Sequence, residues 1–478
     1  MNAPLKILPE NLHTLRVAGQ DLLFHVPSSG LFAMDAICQR VLNEFENKPD
    51  LALEQLSENL NDSFAKEAVL DAVRELQGLG ILSADHSPRH ASPGFLRSES
   101  PITTIVLNVN SGCNLSCTYC YKEDVTAPAT GQRMDFETAR RAIDLLIREA
   151  REEPAVNVVF FGGEPLSNLP LIRTVVDYAG QAGQASGKQV AFALTTNATL
   201  LSDPVIDYLD SRGFGITVSI DGPREVHDRN RLTRGGQGSY TVVAARARRL
   251  LARYRSRPVG ARVTLTHGAT VVMGIWDHLY NELGFYEVGF APVTSGTNTP
   301  YNLTETELRE VFAGFKSLGG QYLREAIAGR RCGFSNLHRL LLDLHEGTKK
   351  LLPCGAGAGM LAVDQDGGIN LCHRFSGTNV PLFGNVAEGI DHPHLTRFLS
   401  ERMDRSGLEC ATCRIRNLCS GGCYHESYAR YEDLGHPVHH YCELLRDWID
   451  FGIEIYARLL QHNPDYFHHP VESRRLVK

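Results

Sequence analysis

A chain of 478 residues is too long for one ordinary core, so two or three domains are expected. Hydrophobic residues at 43% and charged residues at 22% describe a soluble globular protein, and a net charge of −7 argues against a nucleic-acid-binding surface. No apolar run reaches the roughly 20 residues that span a bilayer, and the N-terminus lacks the apolar segment of a signal peptide, so no membrane partner and a cytoplasmic location are expected.

The first stretch, residues 1–85, opens with alternating, strand-like text over Leu12–Val17 and Asp21–Val26. Helical periodicity follows over Ala33–Phe45, Leu51–Leu60 and Ala65–Leu79. Two or three short strands and then three helices predict a small winged-helix-like unit. Its acidic residues, among them Glu44, Glu46, Glu54 and Glu58, speak against DNA binding. Residues 86–100 are polar and punctuated by proline and glycine, as a linker is.

From residue 101 to about 330, β-rich runs alternate with helical patterns. Strands are predicted at Ile102–Val109, Val156–Phe161, Val190–Thr196, Gly215–Ile220, Ala261–Thr266 and Val288–Ala291. Helices are predicted near Asp135–Arg151, Leu169–Ala182, Pro204–Ser211, Tyr240–Tyr254, Ile275–Leu283 and Glu305–Ile327. Six such units predict a parallel sheet curled into a partial (βα)6 barrel, an α/β fold. Residues 331–478 are rich in Cys and Gly with little repeated structure, then close on an amphipathic helix around Leu444–Leu460.

In a reducing cytoplasm, clustered cysteines favour metal over disulfides. Eleven of the twelve lie between Cys113 and Cys442; Cys38, in a first-domain helix, reads as core. The sharpest signal is Cys113-Asn114-Leu115-Ser116-Cys117-Thr118-Tyr119-Cys120, three thiols in eight residues directly after a strand. A cubane iron–sulfur cluster takes four ligands, so three leave one iron open to a substrate. A zinc knuckle would need a fourth ligand nearby, and no His or Cys occurs between Tyr121 and Leu200.

This motif, with an aromatic before its third cysteine, resembles the signature of the radical S-adenosylmethionine (SAM) superfamily. The resemblance covers about residues 102–293. It implies a SAM-binding [4Fe-4S] cluster on Cys113, Cys117 and Cys120, reductive cleavage of SAM to a 5′-deoxyadenosyl radical, and no catalytic protein side chain. SAM contacts are expected at strand ends: Tyr119, the turn Gly162-Gly163-Glu164-Pro165 with Glu164 on the methionine amine, Thr196 and Asn197, Ser219 and Asp221, and Arg231 on the carboxylate. Taken singly, each of these is as well read as a turn, a cap or a surface residue.

Beyond residue 353 come Cys354, Cys372, Cys410-x2-Cys413-x5-Cys419-x3-Cys423 and Cys442, with Gly367 five residues before Cys372. This spacing looks like the SPASM domain of peptide-maturing radical SAM enzymes, which carries two auxiliary [4Fe-4S] clusters. The resemblance assigns Cys354, Cys372 and Cys423 to one and Cys410, Cys413, Cys419 and Cys442 to the other, making three clusters in all. The first auxiliary set then lacks a fourth ligand, for which Cys332, a substrate thiolate or an open iron are the alternatives. Residues 1–85 resemble the precursor-recognition element of ribosomal-peptide maturases, on the text Val26–Asp35, Val41-Leu42, Leu76 and Gly80-Ile81-Leu82. Such domains add a peptide strand to a sheet edge.

The whole chain resembles the maturases of quinohemoprotein amine dehydrogenase, on Asn108–Cys113, Tyr121–Asp124, Asp228–Arg231, His345–Lys350 and Gly421–Tyr431. That resemblance implies Cys-to-methylene thioether bonds on Asp or Glu of the dehydrogenase's small, Cys-containing γ subunit, with a flavodoxin- or ferredoxin-like electron donor. The radical would take a methylene hydrogen, a substrate thiolate would bond to that carbon, and the surplus electron would leave through the auxiliary clusters. The rivals are formylglycine formation, as in anaerobic sulfatase maturation, another peptide modification by a SPASM maturase, and a peptide-binding scaffold with structural zinc. His373-Arg374 after Cys372, where the sulfatase maturases carry an Asp, departs from the first of these.

Overall fold

The computed structural model describes residues 5–48, 51–83, 100–121, 131–296, 299–438 and 440–467. The linker reading and Lys122–Asp124 fall almost entirely outside these residues.

The N-terminal unit is an antiparallel sheet, β1 (Leu12–Val17), β2 (Gln20–His25) and β3 (Gly30–Ala33), followed by α1 (Ala36–Asn47), α2 (Leu53–Asn59) and α3 (Lys66–Gly78). β2 lies in the middle, so β1 and β3 are edges. Asp35 caps α1 by accepting from Cys38 N–H. The unit has its own core of Leu23, Val41, Phe45, Leu56 and Val73, and full burial of Phe45 alone is worth about 2–3 kcal/mol.

The barrel strands are β4 (Thr104–Asn108), β5 (Ala155–Phe161), β6 (Gln189–Thr196), β7 (Gly215–Ser219), β8 (Gly260–Leu265) and β9 (Glu287–Pro292). They pair in sequence order, all parallel. Between them run α4 (Phe136–Glu149), α5 (Leu169–Ser186), α6 (Asp203–Ser211), the short α7 (Arg224–His227), α8 (Tyr240–Arg253) and α9 (Val272–Asp277). The longer helices lay an apolar face on the sheet: α4 buries Ala139, Ala142, Ile143, Leu145 and Leu146. The helix predicted over Ile275–Leu283 begins earlier and ends in a π-helical turn, His278–Glu282. α10 (Glu305–Ile327) opens on a capping box between Thr304 and Glu307, and α11 (Ser335–His345) follows.

The sheet extends past the six predicted strands. β10 (Met360–Val363) pairs parallel with β4, and β11 (Ile369–Asn370) pairs antiparallel with β10. The barrel sheet thus recruits chain from beyond residue 330, where the sequence predicts a separate cysteine-rich unit. With only four and two residues, these strands carry too little periodicity to be seen in the sequence. A hairpin, β12 (Gly384–Asn385) and β13 (Gly389–Ile390), precedes α12 (His392–Met403), α13 (Tyr424–Tyr431) and α14 (Cys442–His462).

α14 packs on α10 and α11 and also touches β1. His13 of β1 bonds Asp450 of α14 at 2.9 Å, and Val17, Leu22 and Ala457 close an apolar contact. Arg416 donates to the Glu10 carbonyl and to Asn11, and Asn417 donates to the Val26 carbonyl. No helix among the described residues is long and apolar enough to cross a membrane.

Candidate functional site

The loop after β4 carries Cys113, Cys117 and Cys120 to the C-terminal end of the barrel. The turn after β5 is seated directly beneath it. Gly163 N–H donates to the Asn110 carbonyl and Glu164 N–H to the Gly112 carbonyl. A side chain at Gly163 would lie 1.9 Å from the Gly112 oxygen, and Gly162 has a φ of +150° with the Asn110 oxygen 2.5 Å from where its Cβ would be. These glycines therefore admit the cysteine loop itself, closer than any other residue allows. Asn110, which the sequence reading passed over, ties the same loop by donating to the Glu164 carbonyl.

Pro165 begins a short 3-10 turn, and Glu164 points back into the interior, wholly buried. Its Oε1 accepts from Leu166 N–H at 3.1 Å and Thr196 Oγ–H at 2.7 Å; its Oε2 accepts from Asn197 N–H at 2.8 Å. Burial pushes its carboxyl up to about 7, against those three hydrogen bonds. A carboxylate offers about four lone-pair positions, so one remains for a further donor. No Arg or Lys stands among the groups that shift it. A buried anion without a cation suits a cationic ligand. Asn197 extends the network through its amide, 2.9 Å from Asn114 Oδ1 and 3.7 Å from Cys113 Sγ.

A second buried group forms where β7 ends. Tyr119 Oη donates to Asp221 Oδ2 at 2.5 Å, Arg231 Nε donates to the same oxygen at 2.8 Å, and Thr264 N–H donates to Oδ1 at 3.0 Å. Asp221 and Arg231, each expected from sequence to meet SAM directly, meet each other. His227 receives Asp221 N–H on Nδ1 and faces Ser239 Oγ at 3.0 Å through Nε2, which fixes the tautomer with the proton on Nε2. Ser219 stands in register with Arg262 of β8, which in turn pairs with Gly289 of β9.

The cysteines separate into three groups whose thiols act electrostatically on one another: Cys113, Cys117 and Cys120; Cys354, Cys372 and Cys423; and Cys410, Cys413, Cys419 and Cys442. Burial pushes Cys113 up to about 11 and Cys117 and Cys372 to about 12. The last four line one cavity with Ile415 and Leu445. Among the described residues no three Cys, His, Asp or Glu converge as one metal ion requires. Arg402, buried, holds the turn between Cys419 and Cys423 by donating to the carbonyls of Gly421 and Gly422. Cys332 lies apart from all three groups, buried near Tyr322 and Tyr466.

Between the first and second groups sits an aromatic and cationic cluster whose members the sequence reading quoted only for resemblance, not as a site. Tyr121, next to Cys120, is acted on by both Cys120 and Cys372. Its ring meets His373 and His425 edge-on, and Arg374 lies 4.9 Å from its centroid. Phe161, at the end of β5, packs on His373 at 4.0 Å. Adjacency to Cys120 and Cys372 was the signal that could have found these residues.

The radical SAM superfamily model matches residues 107–271, about a third of the chain. Over 135 residues the chain is 34% identical to an uncharacterised protein of Methanocaldococcus jannaschii, spanning 28% of this chain but only 44% of that protein's length. It is 22% identical over 74% of its length to a cysteine-type anaerobic sulfatase-maturating enzyme of Clostridium perfringens, covering 96% of that protein. Among solved structures, one of an anaerobic sulfatase maturase with bound SAM and a peptide superposes with a TM-score of 0.63 at 21% identity, over 76% of this chain and 98% of that one. SuiB of Streptococcus suis bound to its precursor peptide gives 0.51 at 15% identity, over 92% of this chain and all of that one. Residues 107–271 thus match the radical SAM superfamily, set in an α/β barrel of the fold those solved structures share.

Proposed function

We propose that the chain is a radical SAM maturase that forms thioether cross-links between Cys and the methylene of Asp or Glu in a small protein, the γ subunit of quinohemoprotein amine dehydrogenase. The observation that carries the reading is the division of ten cysteines into groups of three, three and four. On this reading Cys113, Cys117 and Cys120 hold the cluster that meets SAM, and Cys410, Cys413, Cys419 and Cys442 fill a second cluster. Cys354, Cys372 and Cys423 hold a third and leave one position for a substrate thiol. On this reading Cys332, buried near Tyr322 and Tyr466, takes no part. The relatives point the same way at a coarser level, since several are named as maturases of proteins and one as a cyclopropyl synthase.

The residues present suit these groups. Thiol-only sets fit iron–sulfur clusters, and Glu164, anionic and without a cation, fits an amine such as that of SAM. When bound, the cluster and SAM together supply a radical able to remove hydrogen from unactivated carbon. The chain's own work is positional. Glu164, Thr196 and Asn197 fix the amine end, the Asp221–Arg231–Tyr119 group braces the cysteine loop from the other side, and the packed cluster around Tyr121 keeps bulk water from the space between the two thiol groups. The net reaction removes two hydrogens from the substrate for each carbon–sulfur bond formed.

The test is anaerobic incubation of reconstituted enzyme with SAM, reductant and the γ-subunit polypeptide, followed by mass spectrometry. Each bond should subtract about 2 Da and consume one thiol that no reductant restores, whereas a disulfide of equal mass would reopen. Deuterium placed on the substrate Asp or Glu methylene should appear in 5′-deoxyadenosine. Loss of a thiol with gain of an aldehyde would make the enzyme a formylglycine former instead.

A further inference from the structure

Two arginines face the barrel interior with no acid to answer them. Arg262 stands on β8, solvent-exposed on a strand whose neighbours Ala261 and Val263 are buried in the opposite face. Its guanidinium makes no hydrogen bond and no ion pair among the described residues, while its carbonyl accepts from Ile220 N–H. Its register partner on β9 is Gly289, where a Cβ would come within 3.4 Å of Arg262 Nη1, so the missing side chain is what gives the guanidinium room. Arg374 enters from the other side, two residues after Cys372, held by Thr294 and by His425 Nδ1 at 3.4 Å and lying over the Tyr121 ring. Desolvation in the barrel mouth is what chiefly disfavours the charge of Arg262, and Arg374, within electrostatic reach of it, disfavours it further. The carboxylate nearest in effect, Glu426, is taken by Arg430 at 3.1 Å.

Like charges brought together at a partly desolvated site repel, and the arrangement costs free energy unless an anion joins it. Guanidinium forks bind carboxylates in two-pronged fashion, with geometry as well as charge. The place matters too: Arg374 borders Tyr121, which lies between the first and second thiol groups.

We infer that Arg262 and Arg374 together clamp a carboxylate of the polypeptide substrate, the side chain of the Asp or Glu that is modified. The clamp rests on the proposed modification of an acidic side chain and adds to it the residues that select that side chain. Held by two forks, the carboxylate fixes the adjoining methylene and lets the enzyme refuse Asn and Gln, whose amide N–H groups would face guanidinium N–H groups.

The experiment compares reconstituted full-length enzyme with its Arg262→Gln, Arg262→Lys and Arg374→Gln variants, each checked for iron content and unfolding temperature. Two polypeptides are used: the γ subunit, and the same chain with Asn or Gln at the positions that become modified. Binding is followed by anisotropy of a fluorescent label, and turnover by product mass. Wild-type enzyme should bind the acidic polypeptide about 10- to 30-fold tighter than the amide form, a difference of the size one desolvated ion pair gives. Both Gln variants should reduce that preference below about threefold, and Arg262→Lys should restore part of it. A preference that survives in both Gln variants, or is absent from wild type, overturns the clamp. So does an Arg262→Gln enzyme that needs more SAM while keeping the preference, since the carboxylate held would then be that of SAM. Failure of the thioether reading looks different: the acid–amide preference would depend on both arginines, yet no product would lose 2 Da.

Discussion

Glu164 is a carboxylate with three donors, no exposure and no cation, and its properties follow from that count. Replacement by Gln puts an amide N–H₂ in place of one oxygen, against either Asn197 N–H or the Leu166 N–H and Thr196 hydroxyl, which themselves donate. A stability loss of about 1–3 kcal/mol is expected for the unpaired groups, with SAM affinity lowered at least about tenfold, as equilibrium binding to the cluster-loaded enzyme would measure. Its pH dependence has a definite sign. Burial sets the carboxyl near 7, so it takes up a proton as pH falls below that value and loses its hold on an ammonium group. SAM affinity should therefore fall toward tenfold per pH unit below about 7 in the wild type and lie flat in Glu164→Gln. The Gly-Gly-Glu-Pro turn was legible from the sequence, but the reason for its glycines was not. Gly163 abuts Gly112, a contact between segments about 50 residues apart that no local pattern encodes. Asp221 and Arg231 were likewise visible as candidates, while their pairing with each other is a product of the fold.

At the scale of elements, the six barrel strands and their helices stood out in the sequence because parallel strands buried on both faces leave unbroken apolar text between amphipathic segments. β10, β11 and α12 did not, being short or embedded in cysteine-spaced loops. The N-terminal sheet illustrates the difference between seeing an element and seeing its setting. β1 and β2 were predicted and β3 was not placed, and that β1 lies against α14 was not foreseen, since those segments are more than 400 residues apart. That contact leaves β3 as the edge available to a peptide. Addition of the substrate polypeptide should slow hydrogen exchange of amides in Gly30–Ala33 at least about tenfold, while β1 amides stay unchanged. Protection of β1 with none at β3 would assign the domain another role. Removing residues 1–85 altogether is a harsher test than the sequence suggests, because Phe24 and Val26 belong to the main core and Arg416 would lose its acceptors on Glu10 and Asn11.

For the molecule as a whole, the three thiol groups should behave as separate stores of iron. Replacing Cys113, Cys117 and Cys120 together by Ala should abolish 5′-deoxyadenosine formation and remove about four of about twelve irons, leaving the rest in place. Full retention of SAM cleavage would end the assignment. Acid should weaken the fold through buried neutral histidines. His25 is pushed down to about 4, first by burial and then by Arg416 and Lys349, and His227 to about 3, first by burial and then by Arg231. Both folded values lie below the unfolded value near 6.5. The unfolded chain thus gains protons first as pH falls, and stability is lost from about pH 6.5 downward, on the order of 2 kcal/mol per histidine by pH 4.5. Thermal unfolding under anaerobic conditions should show this decline, and His25→Gln or His227→Asn should make it shallower. A slope unaltered in both would place the acid sensitivity elsewhere.

The seat of β1 against α14 also sets a timetable for the newborn chain. Residues 12–17 leave the ribosome early, but the helix they rest on, Cys442–His462, is made about 400 residues later. At about 5–20 residues per second, the first sheet waits roughly 20–80 s before its docking face exists. Through that interval the small domain must stand on its own core of Phe45, Val41 and Leu56, with Val17 and Leu22 uncovered. A sheet made before the barrel is therefore put in its place only after the barrel is complete.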